Sequence, residues 1–280
     1  MTADVLGAVA GIACALLWGG ADFAGGLAAR CRSAVEVLVP VGVIGVIVLV
    51  PAGLAAGEAP PSASSALWAV LGGCAGAVGI AALYRALAEG DAAIVSPTAA
   101  VIGAALPVVL GVLSQGLPPA SRLGGVLCGL TGIWLVSRSA PSCQEHLKRD
   151  LSRAALAGIS FGCFFISLAQ VAPGSLFYPL AIGKAASIAV AVVYLRGRWQ
   201  GWAMGKASLP AFAAGVLDAG GNVTYMLARQ LIRLDVAAVL VSMYPAITVL
   251  LARLIWGQRL GVRQWIGVGV CVASVGLLVV

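Results

Sequence analysis

An all-α integral membrane protein, with ten transmembrane helices arranged as two inverted five-helix repeats, is expected on three grounds: apolarity, the spacing of the apolar runs, and likeness between the halves. Of 280 residues, 61% are hydrophobic and 10% charged, against roughly a quarter charged in a soluble domain. Mean hydropathy is +1.05. A bilayer crossing takes about 20 mostly apolar residues, so ten crossings use roughly 200 positions and leave short connections.

Gly, Pro and charged residues delimit apolar runs at about 4–24, 34–56, 64–88, 92–115 and 118–137. Five more follow at about 152–171, 174–196, 207–230, 234–256 and 261–280. No Lys or Arg precedes Arg30, so the first run lacks the basic start of a signal peptide and is expected to be retained. The polar stretch from Arg138 to Arg153 lies at the midpoint and contains Gln144, Glu145, Lys148, Arg149 and Asp150. It divides the chain into a first repeat (1–137), a linker (138–151) and a second repeat (152–280). Pro97 and Pro107 are expected to interrupt the fourth run, and Pro245 the ninth. Four glycine pairs at four-residue spacing, Gly7/Gly11, Gly72/Gly76, Gly125/Gly129 and Gly158/Gly162, offer close helix contacts where lipid supplies no hydrophobic drive for association.

The halves align. Asp91 to Val136 lies on Asp235 to Val280 at a constant offset of 144, with Asp91/Asp235, Ala93/Ala237, Val95/Val239, Leu106/Leu250, Gly125/Gly269 and Gly132/Gly276 among the identities. Upstream, Gly79 and Tyr84 match Gly220 and Tyr225. An odd number of crossings per repeat inserts the second upside down relative to the first. That is the arrangement of many secondary transporters, whose sites lie near the midplane between repeats.

The net charge of +7 is scattered between apolar runs, without the basic stripe and interleaved aromatics that nucleic acid requires. Twelve Lys and Arg fall in connections after odd-numbered runs and three (Arg122, Arg229, Arg233) on the opposite side, which predicts both termini outside the cytoplasm. Cys14, Cys74, Cys128, Cys163 and Cys271 lie inside apolar runs and Cys31 and Cys143 in connections. With no CxxC pair, they read as packing residues. The single histidine, His146, sits in the polar stretch. No metal, cofactor or enzymatic acid–base constellation is expected, nor direct ATP use, since there is no phosphate-binding glycine loop.

Charges at membrane depth are costly and face a cavity or a partner. Lys184 and Asp218 each lie about ten residues inside a run and are expected to pair, with protonation of Asp218 as a titratable switch. Asp218, Asn222, Tyr225 and Arg229 follow spacings of four, three and four, a polar stripe on one helix face. Trp18 and Asp22 form a smaller pair near the end of the first run, where an interfacial aromatic and a helix-end carboxylate explain them equally well. Arg85 and Glu89, beside Tyr84, read as an interfacial ion pair. Tyr178 and Tyr244 are candidates to line a cavity. The expected translocation path comprises Asp218, Lys184, Asn222, Tyr225, Trp18, Asp22 and Tyr84.

Trp18-Gly19, the run Gly90-Asp91-Ala92-Ala93-Ile94-Val95-Ser96-Pro97, the run Asp235-Val236-Ala237-Ala238-Val239 through Tyr244-Pro245, and Gln264-Trp265-Ile266-Gly267 followed by Gly276 resemble the duplicated EamA domain of the drug/metabolite transporter superfamily. The resemblance covers nearly the whole chain. It implies a ten-helix carrier in the plasma (inner) membrane that moves small organic solutes, often outward, with membrane lipid and the solute as partners and protons as a candidate coupling ion. One departure is that Gln258 and Ser114 stand where members commonly carry Glu after the ninth and fourth helices.

Overall fold

The computed structural model describes residues 3–89, 92–136, 144–196, 201–202, 205–256 and 261–279. Among them run the helices α1 (Ala3–Ala29), α2 (Ala34–Ala55), α3 (Ala63–Glu89), α4 (Ala92–Gln115), α5 (Ala120–Val136) and α6 (Gln144–Ala169). These are followed by α7 (Phe177–Leu195), α8 (Ser208–Leu231), α9 (Leu234–Val241), α10 (Tyr244–Trp256) and α11 (Val262–Val279). Each of the ten apolar runs is helical, the ninth in two pieces. Asp91, Arg138 and Gln258 lie outside the described residues.

Among the described residues, five stretches suffice by length and composition to cross a bilayer: Ala3–Ala29, Ala34–Ala55, Ala63–Ala86, Ser152–Ala169 and Phe177–Leu195. Thr98–Ser114 and Leu123–Leu135 are shorter apolar helices, and Leu234–Thr248 is a shorter apolar stretch that includes α9 and the start of α10. Large apolar side chains point outward on several helices, Leu113, Val193, Leu209 and Leu254 being at least 70% exposed. Water would penalise such a surface, and lipid matches it.

In three places, the end of α1, the start of α6 and the course of α4, the helices depart from expectation, each for a physical reason. α1 continues to Ala29 instead of ending near 24, because Ala24, Gly25, Gly26, Ala28 and Ala29 are buried against neighbours. α6 begins at Gln144, so the second part of the polar stretch is helical. Its residues, Gln-Glu-His-Leu-Lys-Arg-Asp-Leu, include several strong helix formers and no Gly or Pro. α4 runs unbroken through Pro97 and Pro107, as membrane helices tolerate where the freed carbonyl finds another partner. The ninth run does break, at Ser242 and Met243, and Pro245 follows in the first turn of α10, where its missing N–H costs nothing. Residues 234–246 are all buried, so this irregular backbone is covered by protein and not by lipid.

Packing joins the two halves throughout. α1 lies along α8, α10 and α9; α6 lies along α3 and α4; α7 lies along α2 and α3; α2 touches α8, α4 touches α9, and α5 packs on α11. The glycine pairs mark these seams: Gly7 and Gly11 face Ile232 and Leu240, Gly72 and Gly76 face Leu168 and Phe164, and Gly158 and Gly162 face Ile102 and Leu106. At the crossing of α3 and α7 a side chain at Gly73 would overlap the backbone of Gly183, and Ser187 Oγ donates to Gly73 O at 2.7 Å. Only glycine permits that approach.

One end of the bundle is bound across the halves. Glu58, just past α2, accepts from the backbone N–H groups of Leu176, Phe177 and Tyr178 at 3.0, 2.6 and 3.1 Å. Ala172 N donates to Ser65 Oγ at 3.1 Å, and Arg233, which pairs with the buried Asp235, also donates to Gly116 O at 2.8 Å. At the other end Arg32 stacks over Trp202, 5.8 Å from the ring centre.

Candidate functional site

Three helices deliver charge to one place. Lys184 on α7 and Asp218 on α8 form a buried ion pair through Nζ and Oδ2. Asn222, one turn along α8, donates through Nδ2 to Asp218 Oδ1 at 3.0 Å and to Asp218 O at 2.6 Å. Both carboxylate oxygens of Asp218 are thus engaged. The stem of Lys184 crosses α2 at Gly45, where an added Cβ would lie 3.0 Å from Cγ. A bare backbone there gives the lysine its route to Asp218.

α1 supplies the third charge. Asp22 is 9% exposed and, because α1 continues seven residues past it (29 − 22), it is no helix-end carboxylate. Trp18 precedes it by one turn, on the same face. The indole leans on Gly221 of α8, whose missing side chain leaves the space that the ring occupies. Around it stand Phe164, Phe165 and Tyr225, with ring centres 6.1, 5.8 and 5.8 Å from that of Trp18. Phe165 and Tyr225 are 5.1 Å apart, and Tyr225 Oη donates to Phe165 O at 3.0 Å.

These groups surround a cavity of about 60 Å³. By that measure one water needs roughly 10–15 Å³, so the space is a narrow cleft that takes a few waters. Trp18, Asp22, Lys184, Asp218 and Asn222 line it, as does Tyr244 at the start of α10. Of the residues expected on the path, Tyr225 and Tyr84 do not. Tyr225 packs behind Trp18, fully buried, and Tyr84 seals α3 against α1 at Gly25, its hydroxyl directed at Ala21 O at 3.5 Å. Tyr178 packs on Gly53, away from the cavity. Arg229 sits part-exposed and outside the cavity lining, and Arg85 is exposed. The side chains of Glu89 and Arg253 lie outside the described residues.

The aromatic wall contributed by α6, Phe161, Phe164 and Phe165, was not among the expected path residues. Its spacing of three and four on a helix with small neighbours was the available signal. Ser242 Oγ and Tyr244 Oη are buried with no hydrogen-bond partner among the described residues.

A model of the EamA-like transporter family matches residues 151–280. The second half of the chain therefore contains an EamA-family domain, consistent with the resemblance drawn from sequence. No curated protein matches the chain. One crystal structure of a protein covers 97% of this chain and 95% of its own with a TM-score of 0.76 at 18% identity, a likeness that carries the fold alone. The apolar helices and the EamA-family domain together support a multi-pass membrane transporter of that general kind.

Proposed function

We propose, from the premise that residues 151–280 form an EamA-like domain, that the whole chain is a ten-span secondary carrier of the plasma (inner) membrane. It moves a small organic solute outward by alternating access, performs no chemical step and draws on a proton gradient. The observation that carries this reading is the cavity itself. Buried charges from α1, α7 and α8 converge on it, and charge at that depth is retained where it serves a path or a relay.

Reciprocal packing supports two inverted repeats. If α1 to α5 are exchanged with α6, α7, α8, the α9–α10 pair and α11, the contact of α3 with α6 becomes that of α8 with α1. In the same way α4 with α6 becomes α9–α10 with α1, and α3 with α7 becomes α8 with α2, while α2 with α7 and α5 with α11 map onto themselves. A two-fold relation in the membrane plane places the cavity between the repeats, where rocking of one bundle against the other opens it to alternate sides.

Reconstituted liposomes loaded with labelled amino acids, sugars or organic cations provide the test. Flux of at least one class is expected, faster under an imposed proton gradient and strongly reduced in Asp218→Asn. Absence of flux for every class under every gradient rejects the carrier, and gradient-independent flux rejects the proton coupling alone.

A further inference from the structure

We infer that the cavity selects a monovalent organic cation with an aromatic or apolar body, seated between the carboxylate of Asp22 and the ring of Trp18. This deepens the carrier reading, on which it rests, by naming the class of solute.

The argument begins with a charge count. Among the described residues, the carboxylates and amines lining the cavity are Asp22, Lys184 and Asp218. Lys184 is committed to one oxygen of Asp218 and Asn222 to the other. Asp22 is left over. Among the described residues no hydrogen bond or ion pair reaches it, although it is 9% exposed and lines the cavity. The titratable groups near enough to interact with its charge are, among the described residues, Asp218 from α8, Tyr84 from α3 and Tyr244 from α10, and Lys184 from α7 is already spent. None of them offers a cation. A carboxylate in such surroundings takes up either a proton or a positively charged ligand.

The rest of the lining distinguishes among ligands. Trp18, one turn from Asp22, carries the most favourable ring for a cation, and Phe164 and Phe165 extend the aromatic wall. Tyr244 Oη lines the same space, buried and without a hydrogen-bond partner among the described residues, and supplies a second oxygen to a ligand seated there. A free anion or the carboxylate of a zwitterion would need Lys184, which would have to leave Asp218 and strand a second buried negative charge. A sugar would need several hydrogen-bonding groups, whereas glycine, leucine and phenylalanine make up much of the remaining wall. Proton and organic cation therefore compete for one carboxylate.

Isothermal titration of the full chain in detergent with four probes of similar size tests this. They are benzyltrimethylammonium, a permanent cation; N,N-dimethylbenzamide, which is neutral; phenylacetate, an anion; and phenylalanine, a zwitterion. Benzyltrimethylammonium is expected to bind most tightly and to weaken as pH falls, although its own charge does not titrate. Asp22→Asn should weaken it roughly a hundredfold and abolish the pH dependence, while Asp22→Glu should retain both. Equal or tighter binding of any other probe, no binding of the cation at any pH, or an Asp22→Asn variant of unchanged affinity would overturn the inference. The four-probe comparison on the unaltered protein decides the matter even if Asp22→Asn does not fold. Flux of other solutes without cation binding leaves the carrier standing and removes this assignment. Cation binding with the expected preferences, but no flux in liposomes, keeps the assignment and removes the carrier.

Discussion

Neither member of the Lys184–Asp218 pair has its charge balanced without the other. Lys184→Met or Asp218→Leu alone strands a buried charge and is expected to cost about 3–5 kcal/mol, whereas the double substitution replaces the pair with apolar volume and should recover much of that loss. Thermal unfolding of the four proteins measures the coupling, and additive losses would show that the two side chains do not depend on each other. Both residues were legible in the sequence because charge so far inside an apolar run has few structural explanations. Asp22 was ambiguous because its meaning turned on where α1 ends, and the alanines and glycines that carry α1 to Ala29 declare their role only against a neighbour. Phe164 and Phe165 were missed for a related reason: an aromatic in an apolar helix reads as packing until the space beside it is known.

Among the helices, α7 starts without a cap of its own, since Leu176 makes no side-chain bond to the first turn. Glu58 supplies the cap from the preceding half of the chain through three backbone N–H groups, favoured also by the positive end of the helix dipole. Glu58→Ala should lower stability by about 1–2 kcal/mol, with Glu58→Gln intermediate, read as shifts in unfolding temperature. Equal stability of all three would mean that water replaces the carboxylate at no cost. Such a bond spans 118 to 120 residues and leaves no local pattern. Helix positions were otherwise readable from apolar runs alone. The exceptions are places where apolarity and helicity part company, as at the polar but helical start of α6 and the apolar but broken ninth run.

At the scale of the molecule, the distribution of Lys and Arg predicts an orientation, and the exposed Cys31 between α1 and α2 tests it. In a Cys143→Ser background, a membrane-impermeant maleimide is expected to label Cys31 in inside-out vesicles and not in right-side-out ones. The reverse pattern would invert the topology. The internal similarity was visible because the offset of 144 holds without a gap over 46 residues, from Asp91 to Val136 (136 − 91 + 1). The cavity between the halves was not, since it exists only where non-adjacent helices meet. Its narrowness has an electrical consequence. A cleft with room for a few waters, walled by tryptophan and phenylalanine, offers a small ion little of the hydration that it would give up on entering. On the carrier reading, charge would cross such a cleft only together with a bound ligand, and the voltage across the membrane would be spared a leak.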